Sequence, residues 1–237
     1  MAGSVLITGN SSGLGRGFTE VCLDRGWSVY GVSRRGCSGL TGALHDVRCD
    51  LADADAVAPA LEQLLAGVER LDLVILNAGA LGPIRDLAEI PVATVEEVMR
   101  INVWANKRIL DWFLARPLPV TRIVLISSGA ALKGHRGWGT YALSKATLNM
   151  LTQLYAHEFP ETQLLALAPG LVDTGMQSVL CDPAQTDAGR FPSLQRLRAA
   201  HGTEAMPDPV AAAARIIDLL PTLADRPSGS FVDVRDL

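Results

Sequence analysis

The chain predicts an α/β fold: a single doubly wound, parallel sheet of about seven strands, flanked by helices on both faces. Three observations carry that expectation. Short apolar, β-branched runs alternate with helix-period patterns along the whole 237 residues, as strand–helix–strand crossovers require. The chain opens with a strand, a glycine-rich turn and a helix in immediate succession. Leu71-Asp72-Leu73-Val74-Ile75-Leu76 is a near-continuous apolar run, typical of a central parallel strand buried on both faces.

Composition narrows the class. Apolar residues make up 49 % and charged residues 19 %, a globular balance and not a disordered one. A net charge of −4, with no Lys/Arg cluster beyond short pairs, argues against a nucleic-acid surface. The apolar runs fall far short of the roughly 20 residues a membrane span needs. Met1-Ala2-Gly3-Ser4 leads straight into Val5-Leu6-Ile7, so no secretory leader is expected. Cys22, Cys37, Cys49 and Cys181 form no close pair, and the scattered His45, His135, His157 and His201 add no ligand spacing. No metal is expected, and a reduced, cytoplasmic setting is.

Taken in order, Val5-Leu6-Ile7 is the first strand. It enters Thr8-Gly9-Asn10-Ser11-Ser12-Gly13-Leu14-Gly15, and Leu14, Phe18, Val21 and Cys22 then recur at helical spacing until Arg25-Gly26. Such a turn lets backbone approach a phosphate, and the helix N-terminus supplies free N–H groups and the positive end of its dipole. The bland alternative is a tight turn without a ligand. Residues 27–32 are the second strand, followed by Ser33-Arg34-Arg35. An NAD enzyme tends to carry an acidic residue there for the ribose 2′-hydroxyl. Two guanidiniums could instead pair with a 2′-phosphate, unless the loop is simply solvated.

The third strand is expected at 47–51. Its Asp50 can accept from an adenine amino group or cap the next helix, expected at 54–69. The fourth strand, 71–76, ends in Asn77-Ala78-Gly79. Small residues there leave room for a cofactor, or form a plain turn. A long helical pattern covers 95–115 with Asn102 in its middle. Its Trp104, Ile109, Trp112 and Phe113 suggest either an apolar exterior for a subunit interface or packing on the sheet.

The fifth strand, 123–127, is followed by Ser128. The next helix, to about 158, carries Tyr141 and Lys145 four residues apart, on one helical face. An ammonium near a phenol stabilises the phenolate and lowers its pKa, making a usable proton donor or acceptor. The bland alternative is a half-buried ring beside a solvated lysine. Residues 163–168 are the sixth strand, stopped by Pro169-Gly170. Residues 175–207 are polar, rich in Gly, Pro and Asp, with only short helical pieces such as 193–201, and read as a lid or substrate loop. A helix at 210–220 and a strand at 230–234 close a single domain. Its cofactor-binding half is about 1–120, and its catalytic and substrate-loop half is about 121–237.

These residues together resemble the short-chain dehydrogenase/reductase family in its compact form. Thr8-Gly9-x-x-x-Gly13-x-Gly15 resembles the family's cofactor turn, Asn77-Ala78-Gly79 its strand-four motif and Asp50 its adenine-side acid. Asn102, Ser128, Tyr141 and Lys145 fall where the family keeps its catalytic tetrad. Pro169-Gly170 with Val172 and Thr174 resembles the segment that holds the nicotinamide carboxamide. Family members that prefer NADP often carry a basic residue just before the second glycine of the turn. Here that position is Ser12, so the preference for NADPH over NAD rests on Arg34 and Arg35. The C-terminal Ser228-Gly229-Ser230-Phe231-Val232-Asp233 is similar to sepiapterin- and benzil-reductase-like members.

The resemblance implies a Rossmann-type oxidoreductase that reduces a ketone or aldehyde. Asn10, Ser11, Ser12, Leu14, Ser33 and Leu51 join the motif residues around the cofactor. Ser128 holds the carbonyl, Tyr141 protonates it, Lys145 lowers the tyrosine pKa and binds the ribose, and Asn102 steadies a water leading from Lys145 to solvent. It also implies a homodimer or homotetramer. A non-catalytic NADP-binding regulator of the same fold is the rival reading. Met176, Leu180, Phe191 and Leu194 point to an apolar or aromatic small-molecule carbonyl substrate.

Overall fold

The computed structural model describes residues 3–237. Met1 and Ala2, on which the expectation of no leader partly rests, lie outside the described residues. Seven strands form one sheet: β1 (Ser4–Thr8), β2 (Ser28–Ser33), β3 (Leu44–Arg48), β4 (Leu71–Leu76), β5 (Val120–Ile126), β6 (Gln163–Ala168) and β7 (Ser230–Asp233). Their order is β3-β2-β1-β4-β5-β6-β7, and every pairing is parallel. The strand order reverses between β1 and β4. That switch point is where open α/β sheets leave a crevice at their C-terminal edge.

Parallel strands need crossovers, and the helices supply them. They are α1 (Gly13–Asp24), α2 (Ala54–Leu64), α3 (Val92–Met99), α4 (Ala105–Leu114), α5 (Gly139–Ala156), α6 (Gly175–Cys181), α7 (Ser193–Ala200) and α8 (Pro209–Leu219). The strand side chains alternate between two cores. On β4, Val74 and Leu76 join α2, α4 and α5 on one face, through Leu61, Ile109 and Leu148. Leu73 and Ile75 join α1 and α8 on the other, through Phe18 and Ile216. This explains why β4 shows no period-two pattern: both of its faces are dry. Phe18 is fully buried, and truncating it to alanine is expected to cost about 3–5 kcal/mol.

Several boundaries differ from expectation. Strand β3 ends at Arg48, before Asp50, and α2 stops at Leu64. Its cap is Asp53, whose carboxylate accepts from the Asp55 N–H at 3.1 Å. Asp50 instead closes its own turn by accepting from the Ala52 N–H at 3.0 Å. The helix expected at 95–115 begins at Val92 and is interrupted by a π-helical turn, Arg100–Trp104. Ile109, Trp112 and Phe113 are not an apolar exterior. They are buried in the core, and only Trp104 faces solvent. Residues 175–207 are no bare loop: Leu180, Phe191, Leu194 and Leu197 build a third, small core. Among the described residues, no helix is long and apolar enough to cross a membrane.

Candidate active site

A cleft of about 560 Å³ runs along the C-terminal ends of β1 to β6. Its floor is made where β1 and β4 end. The Thr8 hydroxyl accepts from the N–H groups of Asn77 (3.0 Å) and Ala78 (3.1 Å), and the Asn77 amide donates back to the Thr8 carbonyl at 3.1 Å. Two glycines make this closeness possible. Gly9 has φ +69°, and a Cβ there would lie 3.0 Å from the Ala78 Cα. A Cβ at Gly15 would lie 2.2 Å from the Gly9 carbonyl oxygen, so α1 can start against the turn only without one. No side chain caps α1, and its first N–H groups are left for an anion in the cleft.

Gly9, Ser11, Ser12, Gly13 and Leu14 line the inner wall, with Asn77, Ala78 and Gly79 opposite. Ser33, Arg34 and Arg35 lie at the mouth by β2, and Asp50 and Leu51 by β3. The Arg35 guanidinium donates to the Ser12 hydroxyl at 2.9 Å. Positive charge therefore sits at the Ser12 position although that residue is neutral. Gly170, Val172 and Thr174, after β6, line the far end. Three of the expected cofactor-binding residues do not line the cleft, and neither do Asn102 and Ser128. Asn10 is fully buried and turned toward the sheet, where its amide donates to Asp46 at 2.6 Å. Gly15 packs against the Gly9 carbonyl, and Pro169 does not reach the cleft wall although Gly170 does. Several lining residues had no signal of their own: Cys49, Ala80 and Ile101 enter beside predicted neighbours, and Gln177 comes from α6, next to Met176, which the substrate reading had named.

These residues fit a dinucleotide. The glycine cradle closes where a Cβ would intrude, the mouth carries two guanidiniums, and the buried Ser33 hydroxyl has no partner among the described residues.

Tyr141 and Lys145 line the inner end of the cleft. Ser128 caps a short 3₁₀ turn by accepting from the Ala130 N–H at 3.1 Å. The Tyr141 phenol lies near enough for the Ser128 hydroxyl to favour its ionised form. Burial pushes the Tyr141 pKa up to about 12, and Ser128 only partly offsets this. Burial pulls Lys145 down to about 8. Its ammonium donates to the Ile126 carbonyl at 2.7 Å and stands 5.6 Å from the centre of the tyrosine ring. Desolvation, not the neighbouring ammonium, therefore sets the phenol in this structure, in contrast to the expected downward pull.

Asn102 is buried in the π turn and lies outside the cleft wall. Its side-chain oxygen accepts from the Ala80 N–H at 2.7 Å, and its amide donates to the Ala80 carbonyl and the Ser144 hydroxyl, both at 2.9 Å. Ser144 in turn donates to the Tyr141 carbonyl at 2.8 Å. The π turn leaves carbonyls without helical partners, and the Asn106 amide takes that of Asn102 at 2.7 Å. Asn102 thus ties the loop after β4 to the tyrosine helix.

A parallel sheet with its crevice at the switch point, and a tyrosine and lysine at the crevice's inner end with a serine near the phenol, define a dinucleotide-dependent oxidoreductase class. Residues 4–184 match the family model described as short chain dehydrogenase. The chain belongs to the short-chain dehydrogenase/reductase family, whose members bind NAD(P). It is 27% identical to a benzil reductase ((S)-benzoin forming) of Bacillus subtilis over 98% of both chains. It is 31% identical to a sepiapterin reductase of Xenopus laevis, over 99% of this chain and 97% of that one. The crystal structure of the short-chain dehydrogenase/reductase YIR035C from Saccharomyces cerevisiae superposes with a TM-score of 0.83 at 25% identity, covering 98% of this chain and 96% of that one.

Proposed function

We propose that this chain is an NADPH-dependent carbonyl reductase that takes apolar or aromatic ketones, diketones or aldehydes to alcohols in a reducing, cytoplasmic setting. The observation that carries the reading is the half-buried Tyr141 phenol at the inner end of the cleft, beside Ser128 and one helical turn from Lys145.

When bound, NADPH supplies the hydride that reaches the carbonyl carbon. The turn 9–14 would hold its pyrophosphate, Asp50 and Leu51 its adenine, and Val172 and Thr174 its carboxamide. Arg34 and Arg35 support the choice of NADPH, since Arg35 already brings its charge to Ser12 and guanidiniums pair with phosphate bidentately. Ser128 has its oxygen engaged by the Ala130 N–H and so keeps its proton for the substrate carbonyl. Tyr141, with its pKa held near 12, is protonated at neutral pH and is poised as a donor to the developing alkoxide. Lys145 keeps two further N–H donors for the ribose hydroxyls beside its bond to Ile126.

The substrate end is apolar. Met176 lines the cleft and, like Leu81 and Trp138, packs against the small core around Phe191, which suits an aromatic carbonyl of the kind named for the Bacillus relative. The outer face of α5 presents Leu143, Met150 and Leu154 to solvent. With Thr147 they form an uncharged stripe at helical spacing. A second copy of the chain can cover such a stripe without opposing like charges, and we assign the interface of a homo-oligomer to it.

The test is NADPH oxidation with a panel of aromatic diketones, pterins, quinones and acyl-thioester ketones, run on the wild type and on Tyr141→Phe. The expected result is turnover by the wild type, with loss of turnover and retained NADPH binding in the variant. Near-wild-type activity in Tyr141→Phe would sink the assignment.

A further inference from the structure

The polar segment after β6 is bolted to the loop that carries the tyrosine. Helices α6 and α7 and the chain between them form a cap around Phe191 and Leu194. The loop just before α5 meets this cap at three points. The Trp138 indole N–H donates to the Ser193 hydroxyl at 2.8 Å. Phe191 lies against Gly137 so closely that a Cβ there would come within 2.7 Å of its ring. Arg136, on the loop, and Arg190, on the cap, both converge on Asp86. Arg136 binds its carboxylate through two N–H groups at 2.6 and 2.7 Å, and Arg190 binds it at 2.6 Å and also reaches Glu89. Both guanidiniums lie over the Phe191 ring.

The same loop sets the first turn of α5. That helix begins after Trp138 with no side-chain cap, so the loop helps to fix where its first residues stand, together with the Asn102–Ser144 bonds to the Tyr141 carbonyl. The Trp138 ring packs edge-on against Tyr141 at 6.1 Å between centres. An isolated exposed ion pair contributes little. Here one carboxylate receives three bonds from two guanidiniums, and its loss would leave Arg136 and Arg190 facing each other across the joint.

We propose that Trp138 is a positioning residue for Tyr141, and that the Asp86–Arg136–Arg190 cluster couples its placement to closure of the cap. The proposal rests on the reading of Tyr141 as proton donor. It makes the substrate cap and the proton donor one mechanical unit, so that a loosened cap also displaces the phenol. The cluster is partly exposed, so salt weakens it.

Hydrogen exchange on the full chain tests the coupling without reference to turnover. In Asp86→Asn, protection is expected to fall together in residues 135–142 and in the cap, 182–201. Ser193→Ala, which removes only the partner of the indole, should lower it in the first turn of α5. With an uncharged ketone at saturating NADPH, kcat in Asp86→Asn should fall about ten- to a hundredfold at unchanged NADPH affinity. The wild type is expected to lose kcat/KM as salt rises, and this salt dependence should disappear in the variant. Exchange rising in the cap alone, with the Tyr141 turn still protected, overturns the coupling, as does a salt response shared by both proteins. A wild type that reduced no carbonyl would remove the reductase reading, while the exchange experiment would still decide the coupling.

Discussion

Lys145→Met should stabilise the protein while disabling its site. Lys145 is 4% exposed, and no carboxylate pairs with it among the described salt bridges. Its ammonium is compensated only by the Ile126 carbonyl. Burial lowers its pKa from 10.5 to about 8, which corresponds to about 3 kcal/mol of destabilisation at neutral pH, at about 1.4 kcal/mol per pH unit. Methionine fills similar space without charge, but it leaves the Ile126 carbonyl short of a donor at a cost of about 1 kcal/mol. The net gain is about 2 kcal/mol, or about 4–8 °C in Tm for a domain of this size.

The sign follows from proton counts. Below about pH 8 both folded and unfolded lysine are protonated, and the full cost of burial is present. Between about 8 and 10.5 the folded wild type sheds its proton while the unfolded chain keeps it, so wild-type stability rises with pH. The advantage of the variant therefore shrinks through that window by about 1.4 kcal/mol per pH unit, is gone at about pH 9.5, and turns into a deficit of about 1 kcal/mol at its upper end. Tyr141, raised to about 12, acts at higher pH in both proteins and cancels in the difference. Denaturant melts of both proteins from neutral pH to about pH 10 read this directly. A variant less stable than wild type at neutral pH, or a difference that does not change with pH, would refute the reasoning. Cofactor binding and turnover should both be impaired.

Two more expectations concern binding. Arg34→Ala with Arg35→Ala should weaken NADPH binding about ten- to a hundredfold, the loss of one or two charge-assisted bonds, and leave NADH nearly unchanged in a fluorescence titration. An equal loss for both cofactors, or equal affinity in the wild type, would remove the 2′-phosphate argument. Met150→Asp with Leu154→Asp puts like charges on the α5 stripe and should sediment as a monomer with its circular dichroism intact. An unchanged sedimentation coefficient would place the interface elsewhere.

The frame of the fold was legible because its causes are local in sequence. Residues 71–76 and 163–168 coincide with β4 and β6, since strands dry on both faces have unbroken apolar runs. Edge strand β3 was read three residues late: His45, Asp46 and Arg48 are exposed and give no apolar pattern to follow. The π turn at Arg100–Trp104 was not legible either: the one residue it inserts shifts the helical phase by about 100°, and apolar residues on several sides of the segment hide the shift. The cap was read as a polar loop, since its core residues Phe191, Leu194 and Leu197 are too few and too interrupted to show as a period.

By itself the sequence determined the alternation of strands and helices, the glycine turn, and the spacing that puts Tyr141 and Lys145 on one helical face. These depend on neighbours within a few residues. Only the tertiary structure decided that burial, and not the lysine, sets the Tyr141 pKa. It also decided that Arg35 supplies the charge Ser12 lacks, and that Arg190 reaches Asp86 across 104 residues of chain. The physical reason is common to all three: desolvation and close approach arise from segments distant in sequence, and they exist only once the sheet has brought those segments together.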